Sequence, residues 1–239
     1  MQNRYAGDVG DFGKIGMLRC LENSGLNIGV NWYLVEDESH NNDGKHIGYT
    51  KDNKYNGCDD ELLAALDGMN QQNKRSVSGI EELHLLKTEK YYHEKLHGPK
   101  YEGMNRIEWH QNALNELKES DLIFLDPDNG LLPKSVSRGS EKSIKYVLPE
   151  EIIDYYNAGH SVVFYSHRTR EQLNVYLERF SELFDLKEFE NATIKGISFR
   201  RGTIRDYFFI IHSDHVAKIE NGFSVMLNGK WKEHFMVII

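Results

Sequence analysis

Apolar positions in this chain fall into helical and strand rhythms that alternate along most of its length. From Lys14 to Leu21 the residues Ile15, Met17, Leu18 and Leu21 follow helical spacing, and Gly25 is placed to stop that helix. The next run, Ile28 to Val35, is rich in β-formers and breaks into the polar stretch Glu36 to Gly44, which predicts a buried strand feeding a loop. Leu62, Leu63 and Leu66 mark a helix with acidic residues in its first turn, where the helix dipole favours them. Ile107, Ala113, Leu114 and Leu117 mark another, just before the clearest strand, Leu122 to Leu125, which runs into Asp126-Pro127-Asp128-Asn129-Gly130. Pro149 opens a helix, and Ser161 to Tyr165 reads as a third strand. Thr169 and Gln172 form a capping-box pattern for a helix carrying Leu173, Tyr176, Leu177 and Phe180. Strands follow at Thr193 to Phe199 and Tyr207 to Ile211. Asn228-Gly229 carries a hairpin signal, and the tail from Phe235 to Ile239 is placed to close a sheet edge. Helices alternating with strands early, and strands clustering late, predict a mainly parallel α/β sheet with an antiparallel C-terminal addition.

Composition narrows the function classes. The 239 residues include 37 acidic and 29 basic side chains, a formal charge of −8, which disfavours a general nucleic-acid coat. No apolar run approaches the roughly 18 residues needed to span a bilayer, and the Met1-Gln2-Asn3-Arg4 start shows neither a leader nor a lipidation signal. A cytoplasmic protein without membrane attachment is expected. Cys20 and Cys58 are too few for a disulfide framework or a cysteine-rich zinc site. With four prolines and no linker-like stretch, residues 1–239 read as one domain, in which 45–105 is a candidate helical insertion for substrate recognition.

In open parallel sheets the ligand lies beyond the carboxyl ends of the strands, so the residues just after each apolar run carry the functional signal. Three such ends are polar: Glu36-Asp37-Glu38-Ser39-His40, Asp126-Pro127-Asp128-Asn129 and Ser166-His167-Arg168. If the strands are parallel neighbours, these clusters converge on one crevice. The segment from Asp126 to Gly130 admits a plain turn, a base-methylating loop in which Asp126 orients an exocyclic amine, or a hard-metal site. In the last case Asp126 and Asp128 would hold Mg²⁺ or Mn²⁺ for phosphodiester hydrolysis. Tyr5 to Lys14 places glycines between Asp8 and Asp11 just before a helix, so its amides are candidates to cradle an anion, and Asp11 is a candidate cap. His40, Asp43 and His46, and later His212 and His215, lack a familiar zinc spacing and read as solvated or hydrogen-bonding groups. Arg168, Arg200, Arg201 and Arg205 concentrate positive charge beside aromatic residues, a local patch suited to nucleic-acid phosphates.

In order along the chain these motifs resemble the adenine-N6 methyltransferases of large-subunit ribosomal RNA, the J-type family. That family begins with Ala-Gly-Asn-x-Ala-Asp-x-x-Lys-His, which Ala6-Gly7-Asp8-Val9-Gly10-Asp11-Phe12-Gly13-Lys14-Ile15 matches in spacing. Its Leu-Ile-Asp-Pro-Pro-Tyr loop is similar to Phe124-Leu125-Asp126-Pro127-Asp128-Asn129, and its Arg-Arg-Gly to Arg200-Arg201-Gly202. The resemblance implies a Rossmann-like, class I methyltransferase fold with helices on both faces of the sheet, and S-adenosylmethionine as methyl donor. It implies a catalytic loop of Asp126, Asp128 and Asn129, in which Asp126 holds the target amine. It further implies an N-terminal site at Asp8 and Lys14, with Asp11 between them, and a donor region at Glu36 or Asp37, while the polar strand end and the basic patch make His167, Arg168, Arg200 and Arg201 the candidate substrate contacts. The chain departs from the family where Asp128 and Asn129 replace the second proline and the stacking aromatic, and where the turn after the first strand lacks glycine. A metal-dependent nuclease or phosphohydrolase, and a non-catalytic binding module on the same fold, are the alternatives.

Overall fold

The computed structural model describes residues 1–38, 44 and 46–239. Helix α1, Val9–Asn23, begins earlier than the spacing predicts because Asp8, in extended conformation, accepts the N–H groups of Gly10 and Asp11. The cap is therefore Asp8 and not Asp11. Strand β1, Ile28–Asn31, stops four residues before Val35. Asn31 Oδ1 accepts the Tyr33 N–H, and Tyr33 turns into the left-handed region at φ 45°, which no strand ladder accommodates.

Residues 45–105 carry α2, Asp60–Gln71, and α3, Val77–Glu82, and also β2, Tyr91–Tyr92, which pairs with β1 in the main sheet. The chain continues through α4, Arg106–Leu117, into β3, Leu122–Leu125. A small parallel ribbon follows, β4, Gly130–Leu131, against β5, Tyr146–Val147. Next come α5, Pro149–Asn157, β6, Ser161–His167, and α6, Leu173–Phe184. The expected capping box before α6 is absent: Thr169 Oγ1 donates to Glu171, and Gln172 precedes the helix without a side-chain cap.

A hairpin, β7 at Thr193–Arg201 and β8 at Thr203–Ile211, turns on Gly202 at φ 71°. The expected hairpin at Asn228-Gly229 does not form. Ile219, Phe223 and Met226 fall on one helical face, α7 runs over Ser213–Asn228, and Gly229 caps it by donating to the Val225 carbonyl. Helical periodicity over sixteen residues outweighs a two-residue turn signal, because the buried face is worth more than the turn. Strand β9, Phe235–Val237, then closes the edge against β7.

The main sheet has the order β2-β1-β3-β6-β8-β7-β9. Its core, β2, β1, β3 and β6, is parallel, while β8 and β9 run opposite to their neighbours. Period-2 alternation sends Phe124, Val163 and Phe209 to one face, under Phe12 and Leu18 of α1, Leu66 of α2 and Phe223 of α7. Ile123, Phe164 and Phe208 face the other way, under Trp109 of α4, Tyr155 of α5 and Phe180 of α6. Both faces are covered, as a buried parallel core requires, and the architecture is mixed α/β with a seven-stranded sheet, compatible with a Rossmann-like fold. Among the described residues no helix is long and apolar enough to cross a membrane.

A candidate active site at the carboxyl ends of the strands

Strand β1 sits between β2 and β3, so the chain leaves it in opposite directions across the sheet, and a crevice opens at the carboxyl ends of β1 and β3. A cavity of about 490 Å³ occupies that position, within the roughly 300–1,000 Å³ of small-molecule sites. Its floor is built by Asp8, Gly10, Asp11 and Lys14 from the start of α1, and by Asp126, Pro127, Asp128 and Asn129 from the exit of β3. Tyr165 and His167 of β6 and Thr203 and Arg205 of β8 form one wall, with Glu38, His46 and Lys145 opposite.

Two buried ion pairs organise the floor. Lys14 Nζ lies 2.6 Å from Asp11 and 2.7 Å from Asp126, with the Trp32 ring 5.2 Å away. Burial works against the ammonium, but the two carboxylates outweigh it and hold the Lys14 pKa above its ordinary value. Burial pushes the Asp126 carboxyl up, and Lys14 opposes that rise. Arg205 donates to Asp8 Oδ2 at 2.9 Å. Its guanidinium can lie there because Gly10 has no side chain: a Cβ would come within 2.2 Å of Arg205 Nε. The expected anion cradle is already filled from within the chain. Asp8 takes the amides of Gly10 and Asp11, and Asp11 Oδ2 takes the amide of Gly7.

The loop after β3 is held at both ends. The Asp126 amide donates to the Asn31 carbonyl, the Asn129 amide to Lys145, and the His167 amide to the Asn129 carbonyl. Asp128 is engaged from within the chain: the Met1 amino group lies 2.9 Å from it, and Gln2 Nε2 donates to it at 2.5 Å. Burial raises its carboxyl, but the amino group and Gln2 outweigh burial and hold it below its usual range. Among the described residues no three His, Cys, Asp or Glu side chains are grouped to hold a metal ion. Gly130, at φ 111°, packs with its Cα hydrogens against Ser166, where a Cβ would fall 2.8 Å from the Ser166 backbone. Gly130→Ala is expected to cost about 2–3 kcal/mol in urea unfolding, from a strained φ and that overlap together.

The structure brings together Asp8, Asp11, Lys14, Asp126, Asp128, Asn129 and His167 from the expected set. Glu36 and Asp37 stand outside the cavity: Glu36 pairs with Lys95, and Asp37 accepts the Arg4 amide. Their neighbour Glu38 lines the cavity instead and pairs with Lys145. Ser39, His40 and Asp43 lie outside the described residues. The basic patch is taken apart by its own partners. Arg168 is locked to Asp206, Arg201 donates to His234 and to the Glu233 carbonyl, and Arg200 lies against the Met236 sulfur. His212 and His215 are hydrogen-bonded to the Tyr156 carbonyl and to Ser161, far along β6 from the cavity. Tyr165 is the aromatic that ends the third predicted strand, whereas Lys145 on the cavity and Gln2, which holds Asp128 from behind, carry no local sequence signal. Lys145 arrives only because β5 pairs with β4.

No family model matches the chain, and no curated protein does. Among solved structures it is similar to protein LPL1258 from Legionella pneumophila, whose crystal structure is described with the family model DUF519. The two share 14% identity over 97% of each chain, with a TM-score of 0.49. At that distance the likeness carries no inference about activity.

Proposed function

We propose that this chain is a class I methyltransferase-like enzyme that binds S-adenosylmethionine in the cavity and methylates the exocyclic amine of a nucleobase. The observation that carries the reading is the placement of Asp126. It leaves the carboxyl end of β3 beside the point where the sheet order reverses, on the floor of a ligand-sized cavity, with one oxygen fixed by Lys14.

The floor fits a cationic donor. Asp8, Asp11, Asp126 and Asp128 are four carboxylates against Lys14, Arg205 and the Met1 amino group, which leaves one negative charge to favour an ammonium or sulfonium ligand. When bound, S-adenosylmethionine supplies an electrophilic methyl group. Glu38 and the Asp8 to Lys14 turn would hold it, in place of the expected Glu36 and Asp37. Asp126 accepts a hydrogen bond from the acceptor amine and aims its lone pair, Lys14 keeps that carboxylate from rotating, and Pro127 stiffens the loop. Asn129 offers an amide donor and acceptor to the base edge where the J-type family has an aromatic. Because Arg168, Arg200 and Arg201 are not on the cavity, they are not the groups that meet substrate phosphate.

Calorimetric titration with S-adenosylmethionine and S-adenosylhomocysteine, with Mg²⁺ and Mn²⁺ titrated separately, tests the reading. Micromolar nucleoside binding is expected. Asp126→Asn is expected to lower methyl transfer about 100-fold and to weaken the cationic donor, while S-adenosylhomocysteine, which lacks the sulfonium charge, binds within about threefold of the parent. Screening free nucleotides beside RNA and DNA separates the two sources of the base, and a steep salt dependence would mark a polynucleotide. Absence of nucleoside binding, or a response to metal alone, would overturn the proposal.

A further inference from the structure

An amine that accepts a methyl group must lose a proton, and a proton left on Asp126 would break the ion pair that its Oδ2 makes with Lys14. The other wall of the cavity offers a route. Tyr165 and His167 are two apart on β6 and so share one face of the sheet. Tyr165 lines the cavity and its hydroxyl lies 3.4 Å from His167 Nδ1, while His167 is exposed at the strand end. Burial pushes the Tyr165 phenol well up, Arg205 opposes this, and Asp126 and Asp8 add to it, so the phenol keeps its hydrogen at neutral pH. Behind it, Tyr207 is the register partner of Tyr165, and its fully buried hydroxyl has no hydrogen-bond partner among the described residues. The charges of Arg205, Asp126 and Asp11 bear on that hydroxyl. A buried hydroxyl left unpaired marks a place where a water or a ligand atom completes the network.

We propose that Tyr165 and His167 form the proton exit of this site. The inference rests on the methyl-transfer reading. As the methylated amine gives up its N–H proton, the Tyr165 oxygen takes it while the tyrosine's own hydrogen passes to His167 Nδ1. The resulting imidazolium releases a proton from Nε2 to solvent. The amine N–H and the tyrosine O–H break as a new tyrosine O–H and the Nδ1–H form; loss of the Nε2 proton leaves the neutral Nδ1–H tautomer, which exchange with solvent resets, so the tyrosine ends neutral and no further reactant is needed. Among the described residues, the acidic, basic and imidazole groups that share the cavity with His167 are Arg205, opposite it on β8, Asp8, Asp11 and Lys14 at the start of α1, Asp126 and Asp128 after β3, the Met1 amino group, and Glu38, His46 and Lys145.

Histidine-labelled NMR titration of the full chain provides a readout independent of turnover, with the His167 signal identified by its loss in His167→Gln. Tyr165→Phe and Asp126→Asn are each expected to move the His167 midpoint by at least about 0.3 pH units, because both alter the charge or the hydrogen bond that the imidazole meets. In transfer assays, Tyr165→Phe and His167→Gln are expected to lower kcat about 10- to 100-fold, with the KM for S-adenosylmethionine unchanged. His167→Gln should also remove the acid limb of the pH–rate profile. A His167 midpoint insensitive to both substitutions overturns the relay whether or not transfer occurs. Unchanged kcat in both variants of an active enzyme overturns it and leaves the methyl-transfer reading standing. Absence of nucleoside binding by the unaltered chain brings down that reading, and the relay with it.

Discussion

Lys14→Met is expected to destabilise the fold by about 3–5 kcal/mol, the range found when one partner of a buried ion pair is removed. Lys14 is 4% exposed, and its ammonium is the group that separates the Asp11 and Asp126 carboxylates. Without it two buried acids face each other across the cavity floor, and one of them must take up a proton or draw in water. Urea unfolding at neutral pH measures the loss, which is a large share of the roughly 5–15 kcal/mol that holds a typical domain together. The companion variant Lys14→Met with Asp126→Asn removes one of the two leftover charges, so that Asp11 no longer faces a second acid, and is expected to recover at least half of the stability but none of the proposed methyl transfer. Because the folded-state pKa of Lys14 is raised, the pair's contribution is complete below the ordinary lysine value of about 10.4 and is lost only as pH climbs through the folded value. Equal instability in the single and double variants would show that packing around the lysine stem, and not the ion pair, carries the effect.

Arg168→Met is expected to have an effect of similar size for a different reason. Arg168 Nε and Nη2 grip both oxygens of Asp206 at 2.8 and 2.7 Å, and Nη2 also reaches Ser198. Asp206 is completely buried in β8, opposite Ser166 of β6. Truncating the arginine strands that carboxylate in the sheet and is expected to cost about 3–5 kcal/mol, with Arg168→Met plus Asp206→Leu recovering most of it. Arg200→Ala, whose side chain is exposed beside Met236, is expected to stay within about 0.5 kcal/mol of the parent. A loss of nucleic-acid binding in Arg168→Met with unchanged stability would return Arg168 to the role of a phosphate contact.

These arginines and Arg201 show how far local pattern reaches. Arg168, Arg200 and Arg201 are indistinguishable in the sequence, all basic, beside aromatic residues and next to strand ends. Their difference comes from cross-strand register: the chain leaving β6 returns Arg168 towards Asp206 of β8, an acid thirty-eight residues away. Local pattern likewise placed β3 and β6, which carry continuous apolar runs, α5, which Pro149 opens, and the closing edge strand where they are found. It failed at β1, where a side-chain bond from Asn31 ends the ladder, and at Asn228-Gly229, where a buried helical face overrides a turn.

By itself the sequence determined the alternation of helices and longer strands as far as β8, though not the short strands β2, β4 and β5 or helix α7, together with the parallel core with a reversed end and the position of Asp8, Asp11, Lys14, Asp126 and Asn129 at the starts and exits of elements. Those follow from hydrophobic period and from the rule that polar residues after buried strands face one crevice. Only the tertiary structure decided which charges neutralise one another. Lys14 with Asp126, Arg205 with Asp8, Lys145 with Glu38 and Arg168 with Asp206 are each joined across more than thirty residues. Coulomb pairing in a buried site depends on distances of a few ångströms, and those are set by how the sheet and its helices pack, on which residue spacing along the chain is silent.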